Sequence, residues 1–127
     1  MSELDIRDVA QRASLASSAL RYYEREGLLP RAQRRNGRRF FDEHVLERLS
    51  VIELAKRAGF TIAEMKRLFS GFDRRTPPGE RWRRLAEEKF RELDERIAEA
   101  QRMQALLRVI ARCECPTFND CARALRG

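Results

Sequence analysis

Several features that would identify common classes of protein are missing from this sequence. No run of apolar residues approaches the ~18 that a membrane-spanning helix needs. The first residues, 1–8, lack the basic segment and the apolar run of a secretory signal peptide. We therefore expect a cytoplasmic protein with no membrane partner.

Residue types that perform catalysis are equally sparse. His44 is the only histidine, and its position at the start of a predicted helix favours a surface role over metal binding. The sequence has no Cys-x-x-Cys motif, no Ser–His–Asp set, no glycine-rich phosphate loop and no carboxylate pair in a plausible pocket. These absences argue against an enzyme, including a thiol-redox enzyme.

Positive charge is abundant by contrast. The 127 residues include 27 Lys and Arg against 20 Asp and Glu, which gives a net charge of +7. Only three of the basic residues are lysines. Arginine suits bidentate phosphate contacts, although genomic codon bias would produce the same preference. The charge predicts an anionic partner, of which nucleic acid is the usual example.

The first third of the chain predicts two short helices and a hairpin. Apolar residues at helical spacing predict one helix over 4–13 and a second over 17–26, which stops at Gly27. Two such helices joined by a four-residue turn match a helix-turn-helix. Asn36-Gly37, flanked by arginines, predicts a tight hairpin. We interpret the hairpin as a wing against a phosphate backbone, and a solvated surface loop is the alternative.

Two more helices are predicted after the hairpin. Asp42 is placed to cap a third helix of about sixteen residues that ends at Gly59. Thr61 and Glu64 have the spacing of a capping box, which predicts a fourth helix from Ile62. The helices and the hairpin together predict a small winged helix-turn-helix domain.

A long helix is predicted over 80–112, where no proline or glycine occurs. Apolar positions recur along it in steps of four and three, which predicts a coiled-coil seam. The seam consists of Ala86, Phe90, Leu93, Ile97, Ala100, Gln104, Leu107 and Ala111. Gln104 is polar, and a lone polar residue in a seam can fix its register. Because such a helix needs a partner, we expect a homodimer, with parallel or antiparallel pairing left open.

All three cysteines, Cys113, Cys115 and Cys121, lie within nine residues. A disulfide framework would leave one thiol over, so the cluster predicts a metal site or a redox switch in a reducing compartment. Thiolates favour soft ions such as Cu(I), Hg(II) or Zn(II). A Cys113–Cys121 disulfide and a reduced, unoccupied loop are the alternatives.

The predicted fold is therefore mostly α-helical and has four segments. A winged helix-turn-helix domain spans 1–70, and a linker rich in proline and glycine spans 71–79. A coiled-coil dimerisation helix spans 80–112, and a cysteine-containing signal-sensing loop spans 113–127.

Three segments together resemble the MerR family of transcription regulators. Ala19-Leu-Arg-Tyr-Tyr-Glu-Arg-Glu-Gly-Leu-Leu-Pro30 resembles the family's recognition-helix signature, and Asn36-Gly-Arg-Arg39 is similar to its wing. Gly59-Phe-Thr61 with Glu64-Met65 is similar to its second helix pair. The resemblance covers about residues 4–121. It implies a dimeric regulator that binds double-stranded promoter DNA and, with RNA polymerase on the same promoter, activates transcription by distorting that DNA.

The resemblance also implies which side chains contact DNA, because it places the second helix in the major groove. The candidates are Ser17, Ser18, Arg21, Tyr22, Tyr23, Arg34, Arg35, Arg38 and Arg39. Ser17 and Ser18 would contact bases or phosphates, and Arg21 a phosphate or a guanine. One of the two tyrosines would donate its hydroxyl to a phosphate while the other packs inside. The four wing arginines offer phosphate contacts, although not all four can face the DNA backbone.

The cysteine segment resembles the metal- and redox-sensing members of the family. Seven residues separate Cys113 and Cys121, as in the copper-responsive members, which hold a monovalent ion between two thiolates. The spacing of all three cysteines also resembles the last three ligands of the iron–sulfur sensors, with Ile110 at the position of the fourth. A [2Fe–2S] cluster normally needs four protein ligands, so it is the less favoured cofactor. A three-thiolate site, as in the mercury or zinc sensors, stays open, and the ion itself is undetermined.

Overall fold

The computed structural model describes residues 3–126, so residues 1, 2 and 127 of the predicted segments lie outside it. The elements are β1 (Glu3–Asp5), α1 (Ile6–Ala13), α2 (Ser17–Arg25), β2 (Gln33–Arg35), β3 (Arg38–Asp42), α3 (Val45–Arg57), α4 (Ile62–Ser70), α5 (Pro78–Ala111) and α6 (Phe118–Arg126). The chain divides into two compact units, 1–85 and 86–127, which are described separately. Over the described residues, none of the helices has both the length and the apolar character to cross a bilayer.

The described residues begin with strand β1, which occupies the first two positions of the predicted helix over 4–13. Leu4 pairs with Phe41 in an antiparallel sheet of order β1-β3-β2, and both side chains are buried. Asp5 then caps α1, because its carboxylate accepts the backbone N–H groups of Arg7 at 2.7 Å and Asp8 at 3.1 Å. The first helix therefore begins two residues later than the sequence predicted.

The predicted hairpin is confirmed and forms β2 and β3. Asn36 and Gly37 lie at the turn with φ of 52° and 77°. Two successive positive φ angles are what a two-residue hairpin turn requires, because they match the twist of the paired strands. The turn sets Arg34 opposite Arg39 and Arg35 opposite Arg38, which concentrates positive charge on the wing.

The starts of α3 and α4 follow from local hydrogen bonds. Asp42 does not cap α3 as predicted, because it is the last residue of β3; its carboxylate accepts the N–H of His44 at 2.9 Å, and the helix begins at Val45. The capping box of α4 is confirmed. Thr61 Oγ1 accepts from Glu64 N at 3.2 Å, and Glu64 Oε1 accepts from Thr61 N at 2.9 Å.

The core of the first unit is built where α1 to α4, the sheet and the start of α5 meet. Its fully buried side chains are Val9, Leu20, Leu28, Ile52 and Leu85. Trp82 packs its ring against the edge of Phe60 with ring centroids 5.9 Å apart. Burial of this apolar surface is the main source of stability for the helix-turn-helix and its wing.

Arg81 joins the end of α4 to the start of α5. Its guanidinium donates to the carbonyl oxygens of Leu68, Phe69, Asp73 and Thr76, at 2.9 to 3.2 Å. The predicted linker 71–79 is therefore bridged along its length. Its last two residues already belong to α5, which begins at Pro78, a residue well suited to a first helical position.

The second unit contains the rest of α5 and a further helix, α6, where the sequence predicted a loop. Thr117 starts α6, because its Oγ1 accepts from Asp120 N at 3.2 Å and donates to the Asp120 carboxylate at 2.7 Å. Asn119 and Asp120 therefore lie in the first turn of α6. The cysteine segment is a short bend between two helices.

Candidate nucleic-acid interface and cysteine cluster

The backbone N–H groups at the start of α2 donate no hydrogen bond to a capping side chain. Ala16 occupies the N-cap position and supplies no side-chain hydrogen bond. Ser18 and Arg21 are exposed on α2, and Ser17 is half-buried. Unpaired N–H groups at a helix start carry a partial positive charge, so this end of α2 suits an anionic oxygen.

The two tyrosines of α2 have different environments. Tyr22 is 40% exposed, whereas Tyr23 is 5% exposed and belongs to the hydrophobic core. Their ring centroids lie 6.1 Å apart. We therefore assign Tyr23 to packing and keep Tyr22 as the tyrosine that a ligand can reach.

An arginine-lined groove lies between α1, α2 and the wing. Its arginines are Arg7, Arg21, Arg34, Arg38 and Arg39, and Gly37 and Asp5 also line it. Arg7 was not among the sequence-based candidates, because α1 gave no reason to expect that its first turn faces the wing. The one feature of the sequence that could have pointed to Arg7 is its position two residues after Asp5, the residue that caps α1. Five guanidinium groups around one concave surface create a strongly positive field.

Two of the wing arginines are held by carboxylates. Arg39 donates to Glu24 of α2 at 3.1 Å in a half-buried pair, which ties the wing to the second helix. Arg35 donates to Glu3 at 3.0 Å and does not line the groove. Arg34 and Arg38 remain exposed. The structure thus brings four of the candidate arginines, Arg21, Arg34, Arg38 and Arg39, together at the groove and places Arg35 outside it.

The three cysteines come together at the bend between α5 and α6. The Sγ atoms of Cys113 and Cys121 lie 3.2 Å apart, and all three sulfurs lie within 4.8 Å of one another. Cys113 is exposed, and Cys115 and Cys121 are half-buried. Cys121 reaches the cluster because α6 begins at Phe118 and turns it back toward the end of α5.

Hydrogen bonds within the cluster shift the pKa values of the three thiols in different directions. The thiol of Cys115, its backbone N–H (3.4 Å from the Cys113 sulfur) and the thiol of Cys121 lower the pKa of Cys113. The same contacts with Cys113 raise the pKa of Cys115 and raise that of Cys121 to about 12. Of the three thiols, Cys113 is therefore the one that loses its proton most readily.

The donor set fits a soft metal ion. Zinc–sulfur bonds of about 2.3 Å place the sulfurs of a zinc site about 4 Å apart, within the span of this cluster. Cys113, Cys115 and Cys121 would hold the ion as thiolates. A [2Fe–2S] cluster does not fit equally well, because the chain has three cysteines and Ile110 offers no ligand atom.

Comparison with known proteins agrees with this arrangement. Residues 4–71 match the family model described as MerR HTH family regulatory protein, and residues 46–110 match the one described as MerR, DNA binding. The HTH-type transcriptional regulator CueR of Salmonella typhi is 34% identical over 122 residues, covering 93% of this chain and 87% of the relative.

Two solved structures extend the likeness to the whole fold. The transcription regulator PbrR691 from Ralstonia metallidurans CH34, solved in complex with lead(II), is 28% identical with a TM-score of 0.76 over 90% of each chain. HiNmlR, described as a MerR family regulator lacking the sensor domain and solved bound to promoter DNA, is 27% identical with a TM-score of 0.55, over 99% of this chain and 97% of that one. These relatives are transcription regulators and not enzymes. The chain belongs to the MerR family of DNA-binding transcription regulators.

Proposed function

We propose that this chain acts as a homodimer that binds double-stranded promoter DNA through α2 and the wing and responds to a soft metal ion at its cysteine cluster. The arginine-lined groove is the observation that carries the DNA-binding part. Phosphate contacts supply most of the affinity of such proteins, and base-edge contacts supply the sequence preference.

Within this proposal the groove and the start of α2 make different contacts with DNA. Arg7, Arg34 and Arg38 would contact phosphates, and Arg21 would contact a phosphate or a guanine from α2. Ser17, Ser18 and Tyr22 would supply polar contacts next to it. Arg35 and Arg39 would act mainly by fixing the wing, since each is paired with a glutamate.

Homodimer formation is supported by the apolar surface of α5. Phe90, Leu93, Ile97 and Leu107 of the predicted seam are 67%, 36%, 56% and 60% exposed in the single chain. Apolar side chains repeated on one face of a long helix are stable in water when a second helix covers them. We propose that this second helix is α5 of another copy, starting at Pro78 and ending near the cluster.

The family membership supports the rest of the proposal. A MerR-family regulator acts on promoter DNA, so we propose a cytoplasmic location beside the chromosome. RNA polymerase would share the promoter, with activation by distortion of the DNA. The division into a DNA-binding segment 1–70, a connection 71–79, a dimerisation helix and a sensing segment 113–127 remains part of the proposal.

The signal is proposed to be a soft metal ion, because three thiols gather within bonding distance of one ion. The relative solved with lead(II) gives this choice further support. A thiol oxidation at Cys113 and Cys121 is the second candidate, favoured by the 3.2 Å separation of their sulfurs. A constitutive DNA-binding dimer with unoccupied cysteines is the third.

Transcription from the cognate promoter separates these functions. The wild type, Cys113→Ser and Cys121→Ser are compared under a panel of soft metal ions and oxidants, with operator binding measured in parallel. Loss of induction by a metal ion with operator binding retained is the expected result. Loss of the response to oxidants alone would assign a redox sensor, and full induction of both variants would contradict sensing at the cluster.

A further inference from the structure

The three thiols form a group that needs no ligand from a second chain. All three sulfurs come from one segment of one protomer and lie within 4.8 Å of one another. We propose that the cluster is a complete three-thiolate site within each protomer, and that its ligand is a trivalent lone-pair ion of the arsenic(III) and antimony(III) class. This inference rests on the proposed sensing role of the cluster and is independent of DNA binding.

The separation of the sulfurs argues against a two-coordinate ion. Metal–sulfur bonds of about 2.3 Å would place the sulfurs about 4.6 Å apart in a linear site and about 4 Å apart in a trigonal one. The Cys113 and Cys121 sulfurs lie 3.2 Å apart. A short separation of this kind suits an ion with narrow bond angles, and an ion with a lone pair has such angles because its three ligands form a pyramid.

The exposure of the cluster to solvent on the side of Cys113 also fits an ion with a lone pair. Cys113 is exposed, and the described residues contain no other group that joins these three thiols to make a fourth ligand. The lone pair of a pyramidal ion occupies the fourth direction, so its site is complete with three sulfurs. A tetrahedral ion would instead need a fourth protein or solvent ligand.

Charge favours a trivalent ion. Among residues 3–126 the hydrogen bonds to the cluster sulfurs come from the cluster itself, and the nearby Arg123 is paired with Asp120 at 3.3 Å. Three thiolates around a monovalent or divalent ion would leave a net negative charge, and among the described residues no arginine, including the adjacent Arg112, donates a hydrogen bond to the sulfurs. Three thiolates around a trivalent ion form a neutral group, which needs none.

The binding step is a ligand exchange without oxidation or reduction. Arsenous acid, As(OH)₃, exchanges its three hydroxyl groups for the three thiols. Three As–O bonds break, three As–S bonds form, and the three thiol protons leave with the hydroxyl groups as three water molecules. Arsenic stays trivalent and each sulfur keeps its oxidation state.

The test is a titration of the purified full-length protein with arsenite, in a phosphine reductant that does not compete as a thiol. We expect one arsenic per chain and the loss of all three titratable thiols. Cys115→Ser should weaken arsenite binding by at least about tenfold, since even a change to a residue that only orients a metal ligand costs that much. The matched control Glu114→Gln should bind arsenite like the wild type.

Two results would overturn the proposal. One is unchanged arsenite affinity in Cys115→Ser, which would mean a two-thiolate site. The other is tighter, Cys115-dependent binding of lead(II), mercury(II) or zinc(II) than of arsenite, which would assign a different ion.

A dimer-interface variant tests whether one protomer suffices. Leu93→Glu with Ile97→Glu, checked for helix content by circular dichroism, should still bind one arsenic per chain. Loss of binding in a folded variant would show that the partner chain supplies a ligand. Because these measurements use no DNA, arsenite binding without operator binding would contradict the proposed function alone.

Discussion

At the scale of single residues, the groove arginines differ in what else they contact. Arg39 is half-buried against Glu24, so part of its charge serves the structure of the wing. Arg21 is exposed and makes no ion pair among residues 3–126. A guanidinium without an internal carboxylate partner has its full charge available for a phosphate or a guanine, so Arg21 should contribute more to binding than to folding.

Arg21→Ala should therefore weaken operator binding by about 1–3 kcal/mol if Arg21 contacts a base edge, and should reduce the salt dependence if it contacts a phosphate. Fluorescence anisotropy with labelled operator DNA over a range of salt concentrations measures both effects. Arg102→Ala, an exposed arginine of α5, is the control that should bind like the wild type. Equal weakening in both variants would point to net charge alone.

The cysteines also differ at this scale. Because hydrogen bonds lower the pKa of Cys113 and raise that of Cys121, Cys113 should become a thiolate at lower pH than Cys121 as the pH rises. Iodoacetamide should alkylate Cys113 first, and peptide mapping by mass spectrometry at a series of pH values would show it.

Removing the Cys115 thiol, the main hydrogen-bond donor to Cys113, tests whether this hydrogen bond lowers the pKa of Cys113. Cys115→Ala should shift the alkylation of Cys113 to higher pH, because the Cys115 thiol then no longer stabilises the thiolate. Glu114→Gln changes an adjacent side chain and should leave the order of alkylation as it is. Alkylation of Cys121 ahead of Cys113 in the wild type would contradict the geometry of the cluster.

At the scale of elements, Arg81 makes the connection between α4 and α5. The carbonyl oxygens that end a helix have no partner within it, and Arg81 satisfies those of Leu68 and Phe69. The remaining donors hold the carbonyls of Asp73 and Thr76. One planar guanidinium thus fixes a connection for which the sequence predicted only a linker.

Arg81→Lys should lower the free energy of unfolding by about 2 kcal/mol, because an ammonium cannot reach four carbonyl oxygens in the directions of a guanidinium. Chemical denaturation followed by circular dichroism measures the change. Arg84→Lys is the matched control, since Arg84 makes an exposed ion pair with Glu80 and lies over the Phe72 ring at 5.9 Å, much as Arg81 does at 5.7 Å. A loss of similar size in Arg84→Lys would show that Arg81 has no special role.

At the scale of the whole molecule, exposed apolar side chains are concentrated on α5 and α6. Besides the seam, Met103, Leu106, Val109 and Ile110 are 56% to 66% exposed, and Phe118 is 92% exposed. A single chain leaves this surface in water, which is unfavourable. The proposed association of two chains through α5 would remove this cost and would bring two DNA-binding units into one particle.

Leu93→Glu with Ile97→Glu should convert the dimer into monomers, because charges buried in an apolar seam cost several kcal/mol. Sedimentation should then report half the wild-type mass at micromolar concentration, with weak operator binding. Glu95→Gln with Glu99→Gln, on the same helix but outside the seam, is the control that should remain dimeric. A wild type that sediments as a monomer would contradict the proposed assembly.

The sequence by itself determined the features that depend on neighbouring residues. Asn36-Gly37 specified the wing turn, because these residues accept positive φ angles at low cost. Thr61 and Glu64 specified the start of α4, since a capping box closes within one turn. The family signature around α2 was also readable, because it is one continuous segment.

The tertiary structure decided what depends on distant residues. It made Leu4 part of a strand through Phe41, and it buried Tyr23 while leaving Tyr22 exposed. It also brought Arg7 into the groove and turned Cys121 back to Cys113 through α6. Strand pairing, burial and convergence of charges arise from contacts between separate segments, so no local pattern of residue types reports them.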